Sequence, residues 1–436
     1  MNIASSDPAS LPEVSRDTVA AILAAMAEIC AQDSGFPIFA EHLDGWVRLG
    51  IGDDGYNLCF RQGRIVAVTG DEGHSSGWLY EITGPKSDWV KMFVGLIDLT
   101  QAIVKPFGST IIRGDRVRYS AEAQAMAHFT RLLPKAAAKA GIAVVSKPMP
   151  AGHDPAFTWS TKNPITGHYV DVDGVRTYYE TAGDDHGKVV FLGIHTAGRD
   201  CRQWQKFADV VCGSGRFYAV DLPGHGKSWP LDGNRCLSTM DAISQFIGAF
   251  RRAVGITKPV VVLGCSVGGN LVLQLAGDYP GEVAAAISFQ GADYTPTTKS
   301  PAALAMMDHP RINPAYHHIA RTIDRTGHRT RQQVRDYLMW EVRCYSSISI
   351  QADLTAYGNF DYRSRMKQIR CPVLFIRGQD DWIVSETAVR ESAERLVNSP
   401  KVEILLPPGV GHFSHIEQPE EHGAQVLDFL SRSGVV

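Results

Sequence analysis

The stretch from Pro259 to Ala276 constrains the fold most, because it joins a buried strand to a helix through an abrupt glycine-rich turn. The apolar run PVVVL precedes the turn, and NLVLQLA follows it with helical character. The turn reads GCSVGG, which matches the pattern G-x-S-x-G with Ser266 at its centre. Glycines on both sides allow strand and helix to approach at a sharp angle. The pattern predicts a nucleophilic serine before a helix N-terminus, although an ordinary strand–helix turn would read the same way.

Bulk properties narrow the classes of partner. A length of 436 residues favours two domains. Lys and Arg number 43 against 46 Asp and Glu, so the charge of −3 gives no reason to expect nucleic acid or an anionic membrane. The eight cysteines form no C-x-x-C pair, which is typical of reduced thiols in a cytoplasmic protein. We also expect neither export nor membrane insertion, since no apolar stretch near the N-terminus is long enough.

Residues 1–144 read as a small α+β domain without a catalytic constellation. The predicted segments are a helix over 16–33, a meander of strands over 46–51, 56–60 and 64–68, a strand over 79–83, a helix over 87–97, a strand over 109–115 and a helix over 121–133. The elements Ile82-Thr-Gly, Asp88-Trp89 and Gly114-Asp115 give this domain a pattern that resembles the sterol-carrier-protein type of lipid-binding fold. That resemblance implies an apolar tunnel. The alternative is a packing or dimerisation domain with a filled core, and we expect a homodimer.

A Pro- and Gly-rich linker over 145–165 leads into a second domain over 166–436. A hairpin signal, Asp173-Gly174, opens this domain. Strands then alternate with helices, and they are predicted over 188–194, 216–221, 259–263, 283–288, 372–376 and 401–406. The alternation predicts a mostly parallel sheet covered by helices on both faces.

One stretch, at about 296–362, interrupts that alternation. It is helix-rich and contains many Met and aromatic residues. An insertion there would lie at the carboxyl ends of the strands, as a lid over Ser266. We expect Trp340 and Tyr345 of this lid to contact substrate, with the core of the lid as the alternative place for its aromatic side chains. Arg199, on the turn after strand 188–194, is a further pocket candidate, and a surface or helix-core position is its alternative.

A serine nucleophile needs a base, and the base needs an orienting carboxylate. Asp381 follows one predicted core strand and His412 follows the next, so both lie at the sheet edge to which the serine turn points. The adjacent Asp380 and the nearby His415 are the alternatives. As a metal pair the two histidines lack companions at ligand spacing.

The sequence gives little support to a phosphate-binding loop at 221–228. Gly226-Lys227-Ser228 has only the end of that motif, because Asp221 stands where its first glycine belongs. We read this loop as a structural turn.

Four separate loops of residues 168–436 resemble the α/β-hydrolase-fold enzymes. They are DLPGHGKS at 221–228, GCSVGG at 264–269, GQDD at 378–381 and GHFSHIEQP at 411–419. The resemblance implies that Ser266 is the nucleophile, Asp381 the orienting acid, and His412 the general base and then the general acid. The family spacing G-x-x-D favours Asp381 over Asp380, and the preceding glycine favours His412 over His415.

The oxyanion site needs two backbone amides. One is expected from Val267, which follows the nucleophile, and the other from the loop after strand 188–194. There the chain departs from the family, with His195-Thr196 where His-Gly is usual. By position Ala197 is the expected second donor, and Thr196 stays open.

The expected function is hydrolysis of a small apolar carboxylic ester or lactone through an acyl-enzyme, without a cofactor. Serine rather than aspartate at the turn argues against the epoxide-hydrolase and dehalogenase branches. Two alternatives remain: a C–C bond hydrolase of the aromatic-degradation type, and a ligand-binding receptor on the same fold.

Overall fold

The structure is a computed structural model that describes residues 11–73, 77–105, 107–184, 187–296, 309–313, 322–344 and 346–436. The chain divides into two compact units. The first comprises Met1–Pro148 with His309–Arg321, and the second comprises Met149–Asp308 with Thr322–Val436. The division after residue 148 falls inside the stretch predicted as a linker.

The first unit is an α+β structure with a five-stranded sheet. Its strands are β1 (Gly45–Ile51), β2 (Asp54–Arg61), β3 (Arg64–Gly70), β4 (Trp78–Gly84) and β5 (Ile111–Gly114). Its helices are α1 (Arg16–Gln32), α2 (Phe36–Phe39), α3 (Lys86–Phe93), α4 (Leu99–Ala102) and α5 (Arg116–Lys139). The strand order is β3-β2-β1-β4-β5. The first three strands form the predicted antiparallel meander, whereas β4 lies beside β1 rather than beside β3 and runs parallel to β1.

Large side chains fill the core of this unit. The predicted apolar stripe of α1 is buried as Val19, Ile22, Leu23, Met26 and Ile29. Trp89, Phe93 and Phe129 have no exposed surface. The Trp89 indole donates a hydrogen bond to the Gly50 carbonyl on β1 at 2.8 Å, which ties α3 to the sheet.

The second unit contains an eight-stranded, mostly parallel sheet. Its strands are β6 (Thr166–Val172), β7 (Val175–Ala182), β8 (Val189–Ile194), β9 (Gly215–Val220), β10 (Val260–Cys265), β11 (Val283–Phe289), β12 (Val373–Ile376) and β13 (Val402–Leu405). The order is β13-β12-β11-β10-β8-β9-β7-β6. Only the pairings of β6 with β7 and of β7 with β9 are antiparallel, so the opening hairpin forms one edge.

Helices cover both faces of this sheet. The helices of this unit are α6 (Gln205–Val211), α7 (Met240–Ala253), α8 (Val267–Asp278), α9 (Gln332–Val342), α10 (Ser347–Gly358), α11 (Glu386–Glu394), α12 (Ser414–Glu417) and α13 (Pro419–Arg432). Alternate residues of β10 enter two different cores. Val260 and Val262 pack in the layer of α7, α8 and α11, whereas Val261 and Leu263 pack in the layer of α6 and α13. The predicted fold class, a doubly covered and mostly parallel sheet, is confirmed.

Between β11 and β12 lies an insertion, and we call its described residues 322–344 and 346–362 the inserted segment. It contains α9 and α10. Because β8, β10, β12 and β13 are parallel, the loops that follow them meet at one sheet edge.

None of the helices that the structure describes has both the length and the apolar content needed to cross a bilayer.

The close crossing of β10 and α8 leads to a stability prediction. A Cβ added at Gly264 would lie 2.2 Å from the Gly268 carbonyl oxygen, which is backbone and cannot rotate away. We expect Gly264→Ala to lower the free energy of unfolding by at least about 1–3 kcal/mol, measured by urea denaturation. The control is Gly213→Ala, where a Cβ meets nothing within 4 Å. Equal stability of the two variants would contradict the close packing.

Candidate active site

Ser266 lies at the top of the sheet in a strained backbone conformation, with φ 57° and ψ −113°. Few non-glycine residues adopt positive φ, so the surroundings must hold it there. Its N–H donates to the Phe289 carbonyl at 3.0 Å, and its own carbonyl accepts the Asn270 N–H at 2.9 Å, which begins α8. A Cβ at Gly268 would lie 2.6 Å from the Ile194 carbonyl. The turn is therefore wedged between β8 and β11.

Asp381 and His412 meet at the same edge. The Nδ1 atom of His412 lies 3.0 Å from Asp381 Oδ2, and the other carboxylate oxygen accepts the Ile383 N–H at 2.7 Å. Both side chains are almost completely buried. Burial by itself raises the pKa of Asp381, but the His412 ring, Arg377 and the Ile383 amide hold this pKa below its ordinary value. The carboxylate is thus kept ionised beside the imidazole.

The neighbouring carboxylate, Asp380, faces a different histidine. Its Oδ2 atom accepts the backbone N–H of His328 at 3.0 Å and lies 2.8 Å from Nδ1 of the same residue. The two adjacent aspartates therefore point to two different partners. Only Asp381 is bonded to His412.

A buried carboxylate shapes the loop that carries His412. Glu417 accepts the N–H groups of Gly411 and Phe413, which flank His412, each at 2.9 Å. It also accepts the Gly327 N–H at 2.8 Å from the inserted segment. Sequence reasoning assigned Glu417 no role, although the residue is part of the quoted motif GHFSHIEQP.

The residue before Ser266 connects the turn to the loop of His412. The thiol of Cys265 donates to the His412 carbonyl at 3.2 Å. No hydrogen bond among the described residues engages the Ser266 hydroxyl, which is common for catalytic groups before a substrate binds. The structure thus joins Asp381 to His412 and leaves the serine hydroxyl without an acceptor.

The loop after β8 distinguishes the two candidate oxyanion donors. The Thr196 N–H donates to Gln203 Oε1 at 3.1 Å, and the Gly198 N–H donates to Asp353 Oδ2 at 2.7 Å. The N–H groups of Ala197 and Val267 have no acceptor within the described residues. Ala197, and not Thr196, therefore has an available amide.

Three buried residues beside this loop, His195, His225 and Asp353, have the chemistry of metal ligands and lie close together. Hydrogen bonds engage several of their atoms: His195 Nε2 accepts the Leu222 N–H at 3.2 Å, and His225 Nε2 lies 2.9 Å from Asp353 Oδ2. Burial, and then His225, lowers the pKa of His195 to about 4, so His195 is neutral. These hydrogen bonds connect the three side chains, and Asp353 Oδ1 is left without a partner among the described residues.

The loop that follows β9 is organised by Asp221. Its carboxylate accepts the Cys201 N–H at 2.7 Å and the Lys227 N–H at 2.8 Å, and its carbonyl accepts the Ser228 hydroxyl at 2.7 Å. Asp200, Cys201 and Asp221 form a second group with ligand chemistry. These bonds agree with the interpretation of this loop as a structural turn.

The three expected substrate contacts lie in different settings. Arg199 is buried, with Nη1 3.3 Å from Glu341 Oε2 and Nη2 donating to Thr322 Oγ1 at 3.3 Å. Burial raises the pKa of Glu341 to about 7. The Trp340 ring is 47% exposed and stacks against the Arg202 guanidinium at 4.7 Å. Tyr345 lies outside the described residues. Arg199 is thus held in an ion pair with the inserted segment.

His415, the alternative base, is a core residue. Its ring packs against Trp204 and Phe289, with centroids 4.5 and 5.8 Å apart. Neither ring nitrogen has a hydrogen-bond partner among the described residues. Burial, followed by the neighbouring His422 and His412, lowers the pKa of His415 to about 3. A ring that stays neutral and has no carboxylate partner among the described residues cannot act as the oriented base.

Comparison with known proteins assigns the fold of the second unit. A family model described as the alpha/beta hydrolase fold matches residues 204–419. The enol-lactonase of Burkholderia xenovorans superposes with a TM-score of 0.53 at 19% identity, over 61% of this chain and all of that one. The second unit therefore has the α/β-hydrolase fold.

Two curated relatives align with parts of the chain. The dihydrolipoyllysine-residue acetyltransferase component of the acetoin cleaving system of Cupriavidus necator is 36% identical over 26% of this chain, and the alignment spans only 29% of that protein. The 2-hydroxy-6-oxononadienedioate/2-hydroxy-6-oxononatrienedioate hydrolase of Burkholderia vietnamiensis is 26% identical over 61% of this chain and 96% of its own length.

The setting of His415 leads to a pH prediction. Its pKa is about 3 in the folded chain against an ordinary 6.5, so between these values the unfolded chain binds a proton that the folded chain does not. Stability is therefore lost as pH falls through this window, by at most about 1.4 kcal/mol per pH unit from this residue. His415→Phe keeps an aromatic ring and removes the titration. We expect its unfolding free energy to fall less steeply than that of the wild type from pH 6.5 to 4.5.

Urea denaturation at several pH values measures the difference. The matched control is His153→Phe, because the His153 side chain is exposed and its removal should leave the wild-type pH dependence. Parallel curves for His415→Phe and the wild type would show that His415 does not resist protonation.

Proposed function

We propose that the second unit, which has the α/β-hydrolase fold, is a serine hydrolase that cleaves a carboxylic ester or lactone of a small apolar molecule. One observation carries the proposal. A strained serine, an ionised aspartate bonded to a histidine, and two backbone amides that have no acceptor among the described residues all lie at one edge of a mostly parallel sheet. Acyl transfer by a serine nucleophile requires these groups.

The proposed first step is attack of Ser266 Oγ on the substrate carbonyl carbon. His412 Nε2 takes the hydroxyl proton, while Asp381 holds the Nδ1–H and stabilises the imidazolium. The N–H groups of Ala197 and Val267 stabilise the negative oxygen of the tetrahedral intermediate. His412 then donates this proton to the alcohol as it departs, and the acyl group remains bonded to Ser266.

Water completes the proposed cycle. His412 removes a proton from a water molecule that attacks the acyl carbon, and the same proton returns to Ser266 as the acid leaves. All the proton transfers use one imidazole and the negative charge is held by backbone amides, so the scheme needs no cofactor.

A second candidate is C–C bond hydrolysis. The similarity to the Burkholderia vietnamiensis hydrolase favours it, because that alignment extends over almost the whole of the relative. A substrate panel separates the two candidates: p-nitrophenyl esters of increasing chain length, a five- and a six-membered lactone, and a 2-hydroxy-6-oxo dienoate. Turnover of esters or lactones without turnover of the dienoate supports the first proposal, and the reverse supports the second.

For the first unit we propose an assembly role without chemistry. Its core is filled by Trp89, Phe93 and Phe129, which favours the dimerisation alternative over the lipid tunnel that the sterol-carrier resemblance implied. Native mass spectrometry of the full chain tests this proposal, with a dimer as the expected species.

The acid and base assignments lead to a kinetic prediction. Ser266→Ala, His412→Ala and Asp381→Asn should each lower kcat by roughly 10³-fold or more, because the three groups act as a unit. Asp380→Asn is the matched control, since this carboxylate bonds to His328 instead. We expect Asp380→Asn to keep kcat within about fivefold of the wild type, since an ion pair that is partly exposed to solvent contributes little.

Circular dichroism of each variant verifies folding. The nucleophile assignment fails if Ser266→Ala retains more than about a tenth of the wild-type rate. The acid assignment fails if Asp380→Asn is impaired as strongly as Asp381→Asn.

A further inference from the structure

The loop that contains Ala197 is held by a carboxylate from the inserted segment. Asp353 lies on α10 and is almost fully buried. Its Oδ2 atom accepts the Gly198 N–H at 2.7 Å and lies 2.9 Å from His225 Nε2. The other ring nitrogen of His225 lies 3.1 Å from the Pro223 carbonyl, so both nitrogens face acceptors. A protonated His225 ring therefore balances the buried charge of Asp353.

The same helix also packs against the loop. Gly198 has φ +69°, and a Cβ added there would lie 3.0 Å from Ile350 Cδ1. Asp353 and Ile350 are neighbours on one face of α10, at spacing i and i+3. The peptide of Gly198 is thus fixed by a charge-assisted hydrogen bond and by direct apolar contact.

The peptide group between Thr196 and Ala197 is fixed as well. The Thr196 carbonyl lies in the same plane as the Ala197 N–H and points the opposite way. This carbonyl accepts the Arg199 N–H at 3.1 Å and lies 2.9 Å from His195 Nδ1. The peptide groups on both sides of Ala197 are therefore fixed, and Asp353 holds the one between Ala197 and Gly198.

The inserted segment supports the loop at two further points. Gln203, which accepts the Thr196 N–H, donates to Glu341 Oε2 on α9 at 3.1 Å. Arg199 pairs with the same carboxylate. Asp353 meanwhile keeps one oxygen, Oδ1, buried without a partner among the described residues. A carboxylate that leaves one oxygen unsatisfied is a poor choice for stability alone.

We propose that Asp353 is a positioning residue that orients the Ala197 amide, so that the inserted segment completes the oxyanion site. This inference rests on the proposed serine-hydrolase function. Without the hydrogen bond from the Gly198 N–H to Asp353, the peptide group between Ala197 and Gly198 is free to rotate. The neighbouring Ala197 N–H is then no longer directed at the position of the oxyanion. Misplacement of a catalytic group by about 1 Å lowers the rate by up to roughly 10²-fold.

Two substitutions test the proposal. Asp353→Leu keeps the number and branching of the side-chain heavy atoms but has no acceptor, and Asp353→Asn keeps an oxygen acceptor without the charge. We expect Asp353→Leu to lower kcat for a small ester by about 10²-fold with KM within about twofold, because the amide acts mainly in the transition state. Asp353→Asn should lower kcat roughly fivefold, since a neutral acceptor bonds more weakly than a charged one.

An inhibitor separates positioning from a merely structural role. An aryl trifluoromethyl ketone forms a serine adduct that carries an oxyanion, so its Ki should rise in parallel with the loss of kcat in both variants. The control is Thr355→Val on the same helix, where the hydroxyl bonds back to the Gln351 carbonyl at 2.8 Å. This control should keep the wild-type kcat and Ki.

The outcomes are distinct. Wild-type kcat and Ki in the Asp353 variants, whatever their melting temperatures, overturn the proposal. If Asp353→Leu does not fold, an unchanged Ki in Asp353→Asn overturns it alone. Ser266→Ala, assayed alongside, monitors the function on which the inference rests. An active Ser266→Ala overturns that function, whereas an inactive Ser266→Ala with unaffected Asp353 variants overturns only the positioning role.

Discussion

The positive φ of Ser266 is the constraint on which the rest of the second unit depends. A non-glycine residue in such a conformation costs about 1–3 kcal/mol, and the surrounding structure has to over-determine it. Here β8 and β11 do so. A Cβ at Gly268 would meet the Ile194 carbonyl, and a Cβ at Gly269 would meet the Phe289 carbonyl at 2.4 Å. The tight packing of α8 on two strands therefore holds the serine above the sheet edge.

Buried carboxylates connect the loops at that edge. Asp381 holds the His412 ring, Glu417 holds the backbone on both sides of it, and Asp353 holds the peptide after Ala197. Charged acceptors form stronger hydrogen bonds to N–H groups than neutral ones do, and these bonds strengthen further where water is excluded. Two of these connections, through Gly327 and Asp353, involve the inserted segment. The segment therefore takes part in building the site.

Local sequence patterns predicted the frame of this site but not its supports. The G-x-S-x-G turn, the apolar strands and the loops at 378–381 and 411–419 are short-range signals, and each lies where it was expected. The bond between Gly198 and Asp353 joins residues 155 positions apart, and no local pattern indicates it. The choice between Asp380 and Asp381 depends on which carboxylate points to His412, which is a property of the folded loop. The parallel pairing of β4 with β1 was missed because strand patterns do not show which neighbour a strand will join.

Covalent labelling is the most direct test of Ser266 as the proposed nucleophile. The full chain is incubated with a fluorophosphonate, and the modified residue is located by peptide mass spectrometry. We expect a single adduct on Ser266 in the wild type and much slower formation of that adduct in His412→Ala, because the hydroxyl then lacks its base. Ser266 is not the nucleophile if the adduct forms on another residue, or if ester hydrolysis stops while Ser266 is still unmodified.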